Sequence, residues 1–151
     1  MPLSSLAPSD EAFAPFIREG HEYQTFYKTW GDLADKTKVP LVAIHGGPGL
    51  SHDYLLSLAD LSTRGRPVVM YDQLGNARSS RIADSQPASF WTIDLFIDEL
   101  VNLLAHLGIQ GSFNVYGHSW GAILTAELIL RRQPLGLRHF VVANAPASMD
   151  L

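Results

Sequence analysis

The chain has 151 residues, 46% of them hydrophobic and 17% charged, with a net charge of −4 and no cysteine. This is the composition of one globular domain, long enough to bury about 68–70% of its unfolded surface. The lack of cysteine excludes disulfides and thiolate metal sites, and the acidic balance, with only short basic pairs at Arg131-Arg132 and Arg78/Arg81, argues against nucleic acid as a partner.

Residues 1–15 hold three prolines and several serines and read as an irregular arm, with neither the basic nor the continuous apolar region of a secretory signal. No apolar run reaches the length of a membrane span, so the expectation is a cytoplasmic protein with no membrane partner. From Glu22 to Trp30 the chain is rich in Tyr, Phe and Thr, between Gly20 and Gly31. That pattern predicts a hairpin with one long, antiparallel strand.

From there strand and helix alternate. VPLVAIH (39–45) is a short apolar strand of the kind buried on both faces of a parallel sheet. HDYLLSLADLSTRG (52–65) predicts a helix stopped by Gly65, RPVVMYD (66–72) a second buried strand, and residues 73–89 a polar loop. The apolar stripe Ile93, Phe96, Ile97, Leu100, Leu103, Leu104 and Leu107 defines a helix over about 92–107, with Thr92 at its start and Gly108 at its end. SFNVYGH (112–118) is a third buried strand, WGAILTAELILRRQ (120–133) a helix ended near Pro134, and LRHFVVANAP (137–146) a fourth buried strand. The alternation predicts an α/β fold with a mostly parallel sheet and flanking helices.

In such sheets ligands bind beyond the carboxyl ends of the strands, and three loops on that edge carry chemistry. The first is GHSWG, 117–121. A tight strand–serine–helix turn pushes Ser119 out above the sheet, gives it a positive φ, and leaves no room for side chains at Gly117 and Gly121. The second is HGGPG, 45–49, whose Gly46, Gly47 and Gly49 let the backbone approach a ligand and whose Gly47–Pro48 peptide can be cis. This loop can offer one amide of an oxyanion hole, with the N–H of Trp120 as the other. His45, the last strand residue, is read as holding its loop by hydrogen bonds. The third is DQLGNARSS, 72–80, where Asp72 and Gln73 brace neighbouring loops. The chain has no GxGxxG after the first parallel strand, no GxxxxGK[ST] and no close histidine pair, so no nucleotide, cofactor or metal is expected.

HGGPG, then DQLG with a following serine, then GHSWGA, in that order on successive strands, resembles the proline iminopeptidase and amino-acid amidase group of the α/β-hydrolases. The resemblance runs from about residue 20 to the end. It implies Ser119 as nucleophile and Gly47 and Trp120 as the oxyanion-hole amides, with His45, Gly46, Pro48, Gly49, Asp72, Gln73, Gly117 and Gly121 in support. It implies a serine hydrolase that releases an amino-terminal residue, often proline, from small peptides through an acyl-enzyme. One departure is Ala77, where the group has a second glycine. The larger departure is that the group's cap, catalytic aspartate and catalytic histidine follow the strand ending near Asn144. Asp72 precedes the nucleophile, whereas the order in this fold is Ser, acid, His. The expectation is therefore the amino-terminal part of one core domain, from a truncated product or an incomplete gene, inactive alone. An amidase or esterase acting on amino-acid derivatives or other small molecules, and a non-catalytic half-fold binding protein, stand as alternatives. Serine at 119 argues against an epoxide hydrolase or dehalogenase, which would have Asp there.

Overall fold

Six strands form one sheet in a computed structural model that describes residues 6–83 and 86–145. They are β1 (Asp10–Arg18), β2 (His21–Trp30), β3 (Leu41–Ile44), β4 (Val68–Tyr71), β5 (Phe113–His118) and β6 (Leu137–Ala143), in the spatial order β1-β2-β4-β3-β5-β6. β1, β2 and β4 pair antiparallel, and β4, β3, β5 and β6 pair parallel. Two α-helices, α1 (Ile93–His106) and α2 (Trp120–Arg132), and a 3-10 helix (His52–Arg64) make the crossovers. The α/β architecture expected from the alternation is the one observed.

β3 and β4 are buried at every position, which is why LVAI and VVMY are continuous apolar runs rather than alternating ones. The main core lies between the sheet and the two α-helices. There Val42, Ile44, Val69, Tyr71 and Val115 meet Phe96, Leu100, Leu103, Leu124 and Leu128. On the other face Ala43, Val68 and Met70 pack on Leu55 and Ala59 of the 3-10 helix, with Trp30. The Thr92 side chain accepts a hydrogen bond from the Leu95 N–H at 3.1 Å and starts α1, and Gly108 follows its end with φ +65°.

Three expectations are corrected. The arm over residues 1–15 gives way to β1 from Asp10 onward. Ala14 and Phe16 point into the core on alternate positions, and Pro15, which has no N–H to donate, is accommodated because β1 is an edge strand. Alanine and proline weaken the strand signal of this segment, so pairing with β2 decides it. The helix over 52–65 is a 3-10 helix, capped by Ser51 and stopped by Gly65 at φ +78°. Nothing in the local contacts explains the tighter winding. The third correction concerns β6, whose apolar sequence reads as a buried strand; the parallel expectation, that residues 138–143 form an exposed apolar sheet edge in a chain of this extent, is the one observed. Phe140, Val141 and Val142 are 52%, 54% and 46% exposed. Consecutive strand residues point to opposite faces, so both faces of β6 are open, and its outer edge is unpaired among the described residues. The stretch after Ala145, where the resemblance places the entry to a cap, lies outside the described residues.

Candidate active site

The carboxyl ends of β3, β4 and β5 converge on one edge of the sheet, and the three motif loops meet there. Ser119 sits between β5 and α2 with φ +54° and ψ −117°, a conformation that L-residues rarely hold. The turn is secured from both sides: the Ser119 N–H donates to the Ala143 carbonyl of β6 at 2.9 Å, and the Ser119 carbonyl accepts from the N–H of Ala122 at 3.0 Å. A Cβ on Gly117 would collide with the Gly121 carbonyl and the Thr125 hydroxyl, and one on Gly121 with the Ile44 carbonyl of β3. Glycine at both positions is what lets α2 start this close to β3 and β5.

The 45–49 loop lies against the same turn. A Cβ on Gly46 would come within 3.1 Å of Ser119 Cβ. Gly47 and Gly49 have φ of +123° and +115°, and the Gly47–Pro48 peptide is cis. Gly47, Pro48 and Gly49 form one wall of a cleft of about 800 Å³ that opens at Ser119. The rest of the lining is mostly apolar, with Leu74, Trp91, Phe96, Trp120 and Ile123 beside the polar Asn76 and Thr92. Trp91 stacks on Phe96 with ring centroids 6.2 Å apart, and Phe96 meets Trp120 edge-on at 5.8 Å. No charged residue lines this cleft among the described residues.

A buried polar network ties the loops together. His45 Nε2 accepts from the Gln73 N–H at 3.0 Å, so its Nδ1 carries the proton and donates to the Gly46 carbonyl at 2.8 Å. Burial pushes the His45 pKa down, consistent with a neutral ring. Gln73 donates through Nε2 to the His45 carbonyl at 2.9 Å and accepts at Oε1 from the Trp120 indole N–H at 2.9 Å. One glutamine side chain therefore links the 45–49 loop to the residue after Ser119. Asp72 is fully buried and accepts from the His52 N–H at 2.9 Å, the His52 ring Nδ1 at 2.8 Å and the Arg78 N–H at 3.3 Å. Burial raises its pKa, but the His52 and Arg78 hydrogen bonds outweigh this and hold the carboxyl below its ordinary value. Asp72 is spent on hydrogen bonds to the 52–64 and 72–80 segments.

Four residues outside the sequence motifs complete the edge. Tyr54 Oη accepts from the Gly46 N–H at 2.6 Å and lies 3.0 Å from His118 Nδ1. His118 Nε2 lies 3.1 Å from the Asn144 amide. The histidine next to Ser119 thus has both ring nitrogens engaged, by Tyr54 and Asn144. His139, at the start of β6, is beside the Asn114 amide at 3.2 Å, at the other end of the sheet. Trp91 follows a loop with no regular pattern, and nothing in its local sequence marks it as a cleft wall. Glu99 left a signal: it stands three residues after Phe96 and four before Leu103, a carboxyl on the apolar side of α1. At Ala77, where the related group has glycine, φ is +43°.

Residues 39–151 match the alpha/beta hydrolase fold family, and the chain belongs to that family. Within it, the chain is similar to the amino-terminal portion of proline iminopeptidases. The enzyme of Clostridium botulinum is 34% identical over 141 residues, 93% of this chain and 45% of that protein. The crystal structure of proline iminopeptidase from Mycobacterium smegmatis superposes with a TM-score of 0.81 at 37% identity, over 92% of this chain and 45% of that one. The crystal structure of VinJ superposes with a TM-score of 0.85 at 48% identity, over 94% of this chain and 46% of that one. The chain thus spans about half the length of the relatives it matches.

Proposed function

We propose that this chain is the nucleophile-bearing half of a serine hydrolase of the proline iminopeptidase type. Ser119 is the nucleophile, and the amides of Gly47 and Trp120 hold the oxyanion. The reaction is release of an amino-terminal residue, often proline, from a small peptide. Ser119 Oγ attacks the scissile carbonyl, the amine leaves with a proton, and water resolves the acyl-enzyme. The observation that carries this reading is the strained Ser119 at φ +54°, flanked by two glycines that tolerate no side chain and opening onto the cleft. Each oxyanion donor contributes about 2.7–4 kcal/mol to the transition state. A general base and its orienting acid come from the half of the fold that the longer relatives carry beyond this length.

The second reading, an amidase or esterase acting on amino-acid derivatives or other small molecules, draws support from the cleft. The residues that line it at Ser119 are largely apolar, among them Leu74, Trp91, Phe96, Trp120 and Ile123, which suits an uncharged acyl group. Co-expression with the carboxyl-terminal half of a proline iminopeptidase tests both. Hydrolysis of proline anilide, abolished by Ser119→Ala, supports the first reading. Hydrolysis confined to esters or amides without a free amino group favours the second. Activity that survives Ser119→Ala removes the nucleophile assignment from both.

A further inference from the structure

Glu99 places in the core a buried carboxyl that the proposed chemistry does not use. It sits on α1 with no solvent exposure. Its Oε1 accepts from the Thr25 hydroxyl of β2 at 2.7 Å, and its Oε2 from the backbone N–H of Leu74 at 3.0 Å. Tyr71 on β4 has a buried hydroxyl with no hydrogen-bond partner among the described residues, and after burial itself the Glu99 charge helps hold that hydroxyl protonated. An apolar residue would suit this stretch of helix, because burying a carboxyl costs several kcal/mol unless its partners are well placed. The partners explain the residue.

Leu74 N belongs to the peptide just after Gln73, and Gln73 N, in the peptide just before, donates to His45 Nε2 at 3.0 Å. The two peptides flanking Gln73 are therefore pinned from opposite sides, one by Glu99 and one by His45. With both planes held, the Gln73 side chain has one direction, and in it Oε1 meets the Trp120 indole at 2.9 Å. Leu74 and Trp120 are also walls of the cleft at Ser119.

We propose that Glu99 is a positioning residue for this site: it anchors the peptide after Gln73 and so fixes the Gln73 amide that orients Trp120 and the apolar wall of the cleft. The assignment of that cleft as the substrate site rests on the reading above, but the linkage itself is a matter of geometry and is tested apart from turnover.

The test reads the indole N–H of Trp120 by ¹⁵N–¹H NMR, in the full chain carrying Ser119→Ala so that nucleophilicity plays no part. Three tryptophans are present, Trp30, Trp91 and Trp120, and single Trp→Phe changes assign them. Glu99→Gln keeps an oxygen for the Leu74 N–H and an N–H₂ that donates to Thr25, so the Trp120 resonance and its exchange protection should stay in place. Glu99→Asp keeps the carboxyl group but draws it back from Leu74. It should move the Trp120 indole upfield and speed its hydrogen exchange, as should Gln73→Leu, while the Trp30 indole stays fixed. Thr25→Val removes only the second partner of Glu99 and should leave Trp120 unmoved. Trp120 unchanged in Glu99→Asp but shifted in Gln73→Leu would overturn the proposal, and so would Glu99→Gln shifting it as far as Glu99→Asp. These outcomes are independent of whether Ser119 proves to be a nucleophile.

Discussion

Two residues carry stability in ways their side-chain contacts alone do not show. Ala77 adopts φ +43° in a turn closed by the Asn76 N–H on the Gln73 carbonyl and the Ser79 N–H on the Asn76 carbonyl, both at 3.0 Å. A non-glycine residue in this region costs about 1–3 kcal/mol, and glycine there gives back about 0.4–1 kcal/mol through the entropy of the unfolded chain. Ala77→Gly should therefore stabilise the protein by about 1 kcal/mol in urea melts, and a loss of stability would show the positive φ to be unstrained. Glu99 sets a pH dependence. Burial raises its pKa from 4.5 to about 7, against the opposing hydrogen bonds from Leu74 and Thr25. The folded state holds this proton more tightly than the unfolded chain. The contribution of Glu99 is thus complete below pH 4.5 and is lost as pH rises through about 7. The full swing is about 3 kcal/mol. Glu99→Gln carries no such proton, so it should gain on the wild type by about this amount between pH 4 and pH 8. Asp72, held below its ordinary pKa, works in the opposite direction at the acid end, and the difference between the two proteins cancels it. A pH-independent difference would place the Glu99 carboxyl outside the buried environment described.

Among the elements, the two edges of the sheet differ. β1 is an edge strand with Pro15 in its middle and a charge, Glu11, among its outward positions, features that discourage pairing with another sheet. β6 has no proline, and past Arg138 and His139 it carries no charge: Phe140, Val141 and Val142 follow one another, exposed on both faces of an edge unpaired among the described residues. Such an edge is a template for association between chains. A charge there should act as a gatekeeper. Val141→Lys is expected to raise the soluble, monomeric fraction of the 151-residue chain in sedimentation or light scattering. Because Val141 is already 54% exposed, the melting temperature should barely change. A variant that aggregates like the wild type would locate the sticky surface elsewhere.

At the scale of the whole molecule, catalysis needs what the described residues do not bring to Ser119. His118 is held by Tyr54 and Asn144, His45 by Gly46 and Gln73, and Asp72 by His52 and Arg78. Without a base, a serine hydroxyl stays protonated. Removing the nucleophile or its histidine from a serine protease costs about 10⁶ in turnover, leaving roughly 10³–10⁴ over water from the oxyanion hole and binding. The purified chain alone should therefore show no hydrolysis of proline anilides or amino-acid esters above a Ser119→Ala control. Robust turnover that depends on Ser119 would mean that one of these histidines leaves its partners to serve as base.

The motif loops and the parallel strands were legible in the sequence because each rests on local chemistry. Only glycines fit at 117 and 121, only buried strands are apolar at every position, and the stripe on α1 follows from the helical period. Ser119 could be placed between β5 and α2 for the same reason. What only the tertiary structure decided depends on partners far away in the chain. β1 is a strand because β2 pairs with it, despite weak strand formers. β6 is open because burial belongs to whatever packs on a strand and not to its composition. Trp91 becomes a cleft wall only once Phe96 and Trp120 are folded against it. Glu99 is intelligible only when Leu74 and Thr25, 25 and 74 residues away, close around its carboxyl. A hydrophobic period records which way a residue points, whereas a hydrogen bond between distant loops leaves no pattern in the intervening sequence.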